Sequence, residues 1–153
     1  MIRLATHGDA ASLAALSTEL GYPTTPAQMQ ERLSHVLASD LGAVFVFETA
    51  DGRVIGAVHI IERHLIESDP FCEIMGLIVS EKDRGHGAGG ALVAAAEAWT
   101  ADRGIPNVRV RSNVIRERAH GFYLARGYVE VKRQAVFNKP LGSPGGEGPV
   151  HVA

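Results

Sequence analysis

The sequence predicts a mixed α/β domain, with a central and mostly antiparallel sheet flanked by helices. Three observations predict it. An apolar run, Ile74-Met75-Gly76-Leu77-Ile78-Val79, leads to a glycine-rich loop, Arg84-Gly85-His86-Gly87-Ala88-Gly89-Gly90, which opens a helix-like stretch at 91–103. Asp51-Gly52 separates two β-rich runs, a strong short-range hairpin signal. The elements run strand-helix-helix-strands and then strand-helix-strand-helix-strand, with helical and strand periods alternating along the chain.

Residues 1–5 read as a short edge strand. Asp9 is a plausible N-cap for a helix whose Leu13, Leu16 and Leu20 share one face, and Gly21-Tyr22-Pro23 stops it. Thr25, with Pro26 at the first helical position, opens a second helix that turns Met29, Leu33, Val36 and Leu37 toward the core. Strands follow at 43–49 and 53–61. A polar segment at 62–70 leads to the strand 71–79. After the glycine loop, Leu92, Ala95, Ala96 and Trp99 form a helical stripe that ends before Gly104-Ile105-Pro106. Residues 107–112 read as a strand, 116–126 as the last helix and 128–139 as a last strand or hairpin. One domain over 1–141 is expected, with a Gly/Pro-rich tail at 142–153 that is disordered on composition.

Composition narrows the function classes. The 153 residues are 46% hydrophobic and 21% charged, enough for a sizeable core without disulfides or metal. A net charge of −2 leaves no electrostatic footprint for nucleic acid. The single cysteine suits a reducing compartment, and neither a signal peptide nor a membrane-length apolar run is present, so the expected address is the cytoplasm.

The glycine loop carries the chemistry. Glycines let backbone approach a phosphate closely, and a helix N-terminus adds unpaired N–H groups and roughly 0.3–1 kcal/mol for negative charge. The same residues satisfy the dinucleotide pattern G-x-G-x-x-G. Two features oppose that reading: residues 80–84 separate strand from glycines, and Val108-Arg109-Val110-Arg111 ends in a base where a ribose-binding acid belongs. No Gly-Lys-Ser/Thr follows, which excludes a Walker loop.

Arg84-x-x-Gly87-x-Gly89 resembles the acetyl-CoA pyrophosphate loop of the GNAT N-acetyltransferase superfamily. Two further blocks agree in order: Glu73, eleven residues before Arg84, and Ala119-His120-Gly121-Phe122-Tyr123-Leu124-Ala125-Arg126-Gly127-Tyr128. The resemblance spans residues 1 to about 140 and its specificity lies in 73–128. It implies a GNAT-like fold and acetyl transfer from acetyl-CoA to a primary amine by direct attack in a ternary complex, with no metal. Arg84, Gly85, His86, Gly87, Ala88, Gly89 and Gly90 would hold the pyrophosphate. Backbone groups of Leu77, Ile78 and Val79 would pair with the pantetheine arm and the thioester carbonyl, where the fourth and fifth strands splay apart. Many members carry an asparagine seven residues before the tyrosine; this chain has Arg116 there and Asn113 ten before, so either one is a coenzyme contact.

Acetyl transfer requires a neutral amine, and an alkylamine with a pKa near 10.4 is only about one part in a thousand neutral at pH 7. Glu73 is the candidate base, or an anchor for a cationic acceptor; its alternative is an exposed acid balancing a base on the strand surface. His59 and His64 are alternative bases. Tyr123 is the candidate acid for the leaving thiolate, against core packing. Cys72 with a histidine would make a thiol nucleophile, but a lone cysteine among strand hydrophobes reads as inert core. A non-catalytic acyl-CoA-binding module is the other class, opposed by Glu73 and Tyr123 together. Tyr22, His59, His64, Glu67, Phe71 and Asn138 are expected to line the acceptor site. An acidic lining of Glu67, Asp69 and Glu73 suits a small cationic molecule. The resemblance also implies a homodimer through terminal strands.

Overall fold

The computed structural model describes residues 1–112 and 117–142. Two compact units divide the chain, Met1–Arg111 and the residues from Ser112 onward. The first is a five-stranded sheet in the order β1-β2-β3-β4-β5. Its strands are β1 (Ile2–Leu4), β2 (Gly42–Glu48), β3 (Val54–Leu65), β4 (Ser68–Val79) and β5 (Val108–Val110), and its helices α1 (Ala10–Glu19), α2 (Pro26–Ala38) and α3 (Ala88–Asp102). Strands β1 to β4 pair antiparallel and β4 with β5 parallel. Connectivity dictates that switch, since parallel neighbours need a crossover and α3 supplies it.

Local chemistry sets the helix ends. Thr25 and Gln28 form a capping box: the Thr25 hydroxyl accepts from Gln28 N at 3.1 Å and Gln28 Oε1 accepts from Thr25 N at 3.0 Å, with Pro26 at the first turn. Such a cap is worth about 1 kcal/mol. Asp9 sits at the start of α1, yet its carboxylate does not cap that helix. It takes a two-pronged bond from Arg3, at 2.9 and 2.8 Å, and accepts from Thr6 N at 2.8 Å. A strongly charge-assisted partner outcompetes helix N–H groups, and the Arg3 guanidinium holds the Asp9 carboxyl below the usual carboxylate range.

The sheet is covered on both faces. Leu13 and Leu16 of α1 and Leu33 of α2 bury against Val44, Val46 and Ala57 on one face. On the other, α3 buries Leu92, Val93 and Ala96. Gly56 lets α3 approach, because a Cβ there would lie 2.9 Å from Ile78 O and 3.0 Å from Leu92 Cδ1.

Three expectations change. The polar segment 62–70 is mostly strand: the hairpin runs on through Arg63 opposite Phe71 and Leu65 opposite Ser68. An antiparallel ladder supplies backbone bonds whatever the side-chain polarity, so composition alone misread it. Helix α3 begins at Ala88 instead of 91, after Gly87 at φ +86°. In the second unit, α4 (Glu117–Leu124) is the expected last helix. Residues 128–139, expected as strand, join no ladder among the described residues, and Val129, Val131 and Phe137 stand exposed. Alternating apolar residues favour a strand only where an edge pairs with it. The tail expectation falls on 142–153, of which 143–153 lie outside the described residues.

Candidate active site

Strand β4 organises the site. Its register against β3 shifts between His59/Gly76 and Ile60/Ile74, which leaves Met75 as the extra residue of a β-bulge. Pairing with β5 stops there as well: Cys72, Glu73 and Ile74 oppose Val108, Arg109 and Val110, and among the described residues 76–79 pair with β3 alone. Among the described residues the edge of β4 beyond the bulge therefore has no strand partner on its β5 side, which leaves backbone groups available to an extended ligand.

Glu73 lies beside that fork, on the face that also carries Ile61, Arg63, Phe71 and Arg109. It is 1% exposed, so it is not the surface acid of the alternative reading. Its Oε2 accepts from Arg111 Nε at 3.2 Å, while Arg63 Nη1 stands 4.0 Å from Oε1. Oε1 itself is buried with no hydrogen-bond partner among the described residues. Burying a carboxylate is costly unless cations accompany it, and two guanidiniums stand beside this one. Phe71 lies buried beneath Arg109, whose guanidinium carbon is 4.2 Å from the ring centroid. Sequence reasoning passed over Arg63, Arg109 and Arg111 as site residues. The period-two pattern Arg109-Val110-Arg111 already placed two bases on one strand face.

The glycine loop meets the requirements of an anion cradle. Gly85 and Gly87 have φ of +83° and +86°, and a Cβ at either would meet no atom within 4 Å, so the space above the backbone is open. The helical ladder of α3 starts with Ala91 N to Gly87 O at 3.0 Å, which places Ala88, Gly89 and Gly90 in the first turn, where N–H groups lack helical acceptors. Arg84 is exposed and bonds Val79 O through Nε at 3.3 Å, tying the loop to the end of β4. His86 is exposed, with Nδ1 3.3 Å from Asp83 O. The backbone of Leu77, Ile78 and Val79 lies on the open edge, continuous in sequence with this loop.

The remaining candidates divide. His59 is on the Glu73 face, opposite Gly76 at the bulge, and burial lowers its pKa, so it is neutral at pH 7. His64 is elsewhere: its Nε2 lies 2.5 Å from Glu62, whose other oxygen accepts from Arg103 at the end of α3 at 2.7 Å. Cys72 pairs opposite Glu62 on that same α3 face, away from His59, and burial pushes its thiol up. An inert core thiol results, as expected. Glu67 is exposed in the β3–β4 turn and Asp69 is exposed at the start of β4, and Glu73 is already matched by arginines, so the three acids form no common acidic wall. Tyr22 is exposed in the α1–α2 turn, where Ser17 Oγ donates to its carbonyl at 3.2 Å. Asn138 is exposed in the second unit, and Asn113 and Arg116 lie outside the described residues. In α4, Tyr123 packs edge-on against Phe122 and Tyr128, with centroids at 5.2 and 5.7 Å. Burial raises its phenol pKa above the ordinary value, so it carries its proton at neutral pH.

A bulged fourth strand, a fork to a parallel fifth and a glycine loop opening the next helix meet at one end of the sheet. Residues 11–128 match the acetyltransferase (GNAT) family, and the chain belongs to that family. It is an acetyl-CoA-dependent N-acetyltransferase that acts on a primary amine. It is similar to the aminoglycoside N(6')-acetyltransferase type 1 of Stenotrophomonas maltophilia, 37% identical over 144 residues, covering 92% of this chain and 93% of that one. The protein of the same description from Serratia marcescens is 23% identical over 146 residues, 93% of this chain and all of the other. The crystal structure of the aminoglycoside 6'-N-acetyltransferase AAC(6')-Ih from Acinetobacter baumannii shares the fold, with a TM-score of 0.79 at 17% identity over 93% of this chain and 99% of that one. No helix among the described residues is long and apolar enough to cross a membrane.

Proposed function

We propose that the open edge of β4 and the glycine loop hold acetyl-CoA, that Glu73 prepares the acceptor amine, and that Tyr123 protonates the departing thiolate. The carrying observation is Glu73: a buried carboxylate at the fork with one oxygen held by Arg111 and the other without a partner among the described residues. Oε1 takes the amine's proton, directly or through water. The nitrogen lone pair then attacks the thioester carbonyl carbon, and the oxygen charge that develops is met by backbone N–H groups of residues 77–79. Collapse breaks the C–S bond, the thiolate takes the proton of Tyr123, whose raised pKa keeps it loaded, and the proton still carried by the attacking nitrogen passes through solvent to the tyrosinate, leaving a neutral amide and free thiol. Arg84 and the amides of residues 85–90 bind the pyrophosphate.

The acceptor in this reading is a small cationic amine of the aminoglycoside type, which the names of the relatives support. His59, Phe71 and Tyr22 are its proposed lining. The lone buried cysteine supports work in the cytoplasm. Exposed Val129, Val131 and Phe137 support pairing of two copies through the terminal segment, which sedimentation tests.

Thiol release from acetyl-CoA, measured over a panel of aminoglycosides, polyamines and amino-acid derivatives, tests the whole reading. Turnover with an aminoglycoside is expected, and Tyr123→Phe should lower kcat about 10²–10⁴-fold with near-normal coenzyme affinity. Unchanged kcat in that variant would return Tyr123 to a packing role.

A further inference from the structure

We infer that Arg111 is a positioning residue for Glu73: it holds the buried carboxylate through one oxygen and leaves the other, Oε1, to the chemistry. The inference rests on Glu73 acting on the amine. At 1% exposure the Glu73 carboxylate has given up its hydration, which is costly for a charge unless a partner compensates it. Something fixed and always charged must oppose it. Among the described residues, the charged and titratable groups on the Glu73 face are Arg63 and His59 from β3 and Arg109 and Arg111 from β5 and its end. His59 is held neutral by its own burial. Arg109 is spent on the ring of Phe71. Arg63 approaches to 4.0 Å, beyond hydrogen-bond range, and its Nε is itself buried without a partner. Arg111 alone of these donates a hydrogen bond, from Nε to Oε2 at 3.2 Å.

Its place in the chain makes it suited to the task. Arg111 follows directly on Val110, the last residue of β5, which is in register with Ile74 of β4. The backbone that carries the guanidinium is thus fixed one residue upstream by the ladder that flanks Glu73, at the point where the two strands part. A carboxylate bonded through Oε2 presents Oε1 in one orientation. Arg63 adds charge 4.0 Å from Oε1 without a hydrogen bond to it.

The test is a set of pH–rate profiles on an acetylated acceptor for wild type, Arg111→Gln, Arg111→Lys, Arg63→Gln and Glu73→Gln. Arg111→Gln should lower kcat about 10–100-fold with KM for acetyl-CoA little changed. It should also move the acid limb upward by about 1–2 pH units, because a carboxylate that loses its cation protonates more readily. Arg111→Lys keeps the charge and should return the limb close to its wild-type position, with kcat still reduced because an ammonium does not reproduce the guanidinium geometry. Arg63→Gln should shift the limb less than Arg111→Gln. A wild-type limb in Arg111→Gln, or a lysine variant no better than glutamine, overturns the inference. If Arg111→Gln fails to fold, Arg111→Lys decides alone, and wild-type kcat in it overturns the positioning role. Wild-type kinetics in Glu73→Gln would instead overturn the reading of Glu73 on which the inference stands.

Discussion

The two halves of β4 differ in one respect from which their other differences follow. Cys72, Glu73 and Ile74 are paired on both edges and are almost wholly buried, whereas residues 76–79, among the described residues, are paired on one edge only and lead into the glycine loop. A strand with both edges satisfied can bury a charge if cations accompany it; a strand with one edge free can offer backbone to a ligand. The bulge at Met75 separates the two uses. One strand thereby carries an acid–base group and a ligand-binding edge within a few residues.

The largest expected effect breaks the closed half. Glu73→Gln keeps size and removes the charge, so kcat should fall about 10²–10⁴-fold and partly recover as pH rises and free amine becomes abundant. A rise confined to acceptor KM would identify Glu73 as an anchor instead. Next comes the loop that continues the open half. Gly87→Val combines a β-branched side chain with φ +86° and fills open space above the backbone, so acetyl-CoA should bind about tenfold more weakly or worse by calorimetry. Unchanged affinity in the folded variant would remove the loop from the coenzyme site.

Gly56→Ala tests how the open half is backed by α3. The new Cβ would crowd Ile78 O, which is backbone and cannot yield, so stability should drop by about 1–3 kcal/mol in denaturant unfolding with smaller change in kcat. The smallest effect concerns His59, opposite the bulge. Its folded pKa is depressed by burial, so below the unfolded value near 6.5 the unfolded chain binds more protons. The stability that neutral His59 permits is therefore complete above about pH 6.5 and declines as pH falls. His59→Gln should flatten that part of a melting-temperature profile between pH 7 and 5.

The sequence by itself determined what neighbouring residues decide. Thr25-Pro26 with Gln28 specifies a helix start, Asp51-Gly52 a hairpin, and Gly85 and Gly87 a loop whose positive φ angles few other residues accept. Each signal acts over a few positions, and each was readable without the fold. Only the tertiary structure decided the company of Glu73, since its partners come from ten residues upstream in β3 and thirty-eight downstream past β5. Sequence order placed Glu67, Asp69 and Glu73 within one short stretch and suggested an acidic wall. The fold left Glu67 exposed in the turn and Asp69 exposed at the start of β4 and buried the third among arginines, because burial and partners follow the register of the sheet rather than proximity along the chain. The segment 128–139 fails as a strand for a related reason: β propensity resides in the residues, but a strand exists only where another edge supplies its hydrogen bonds.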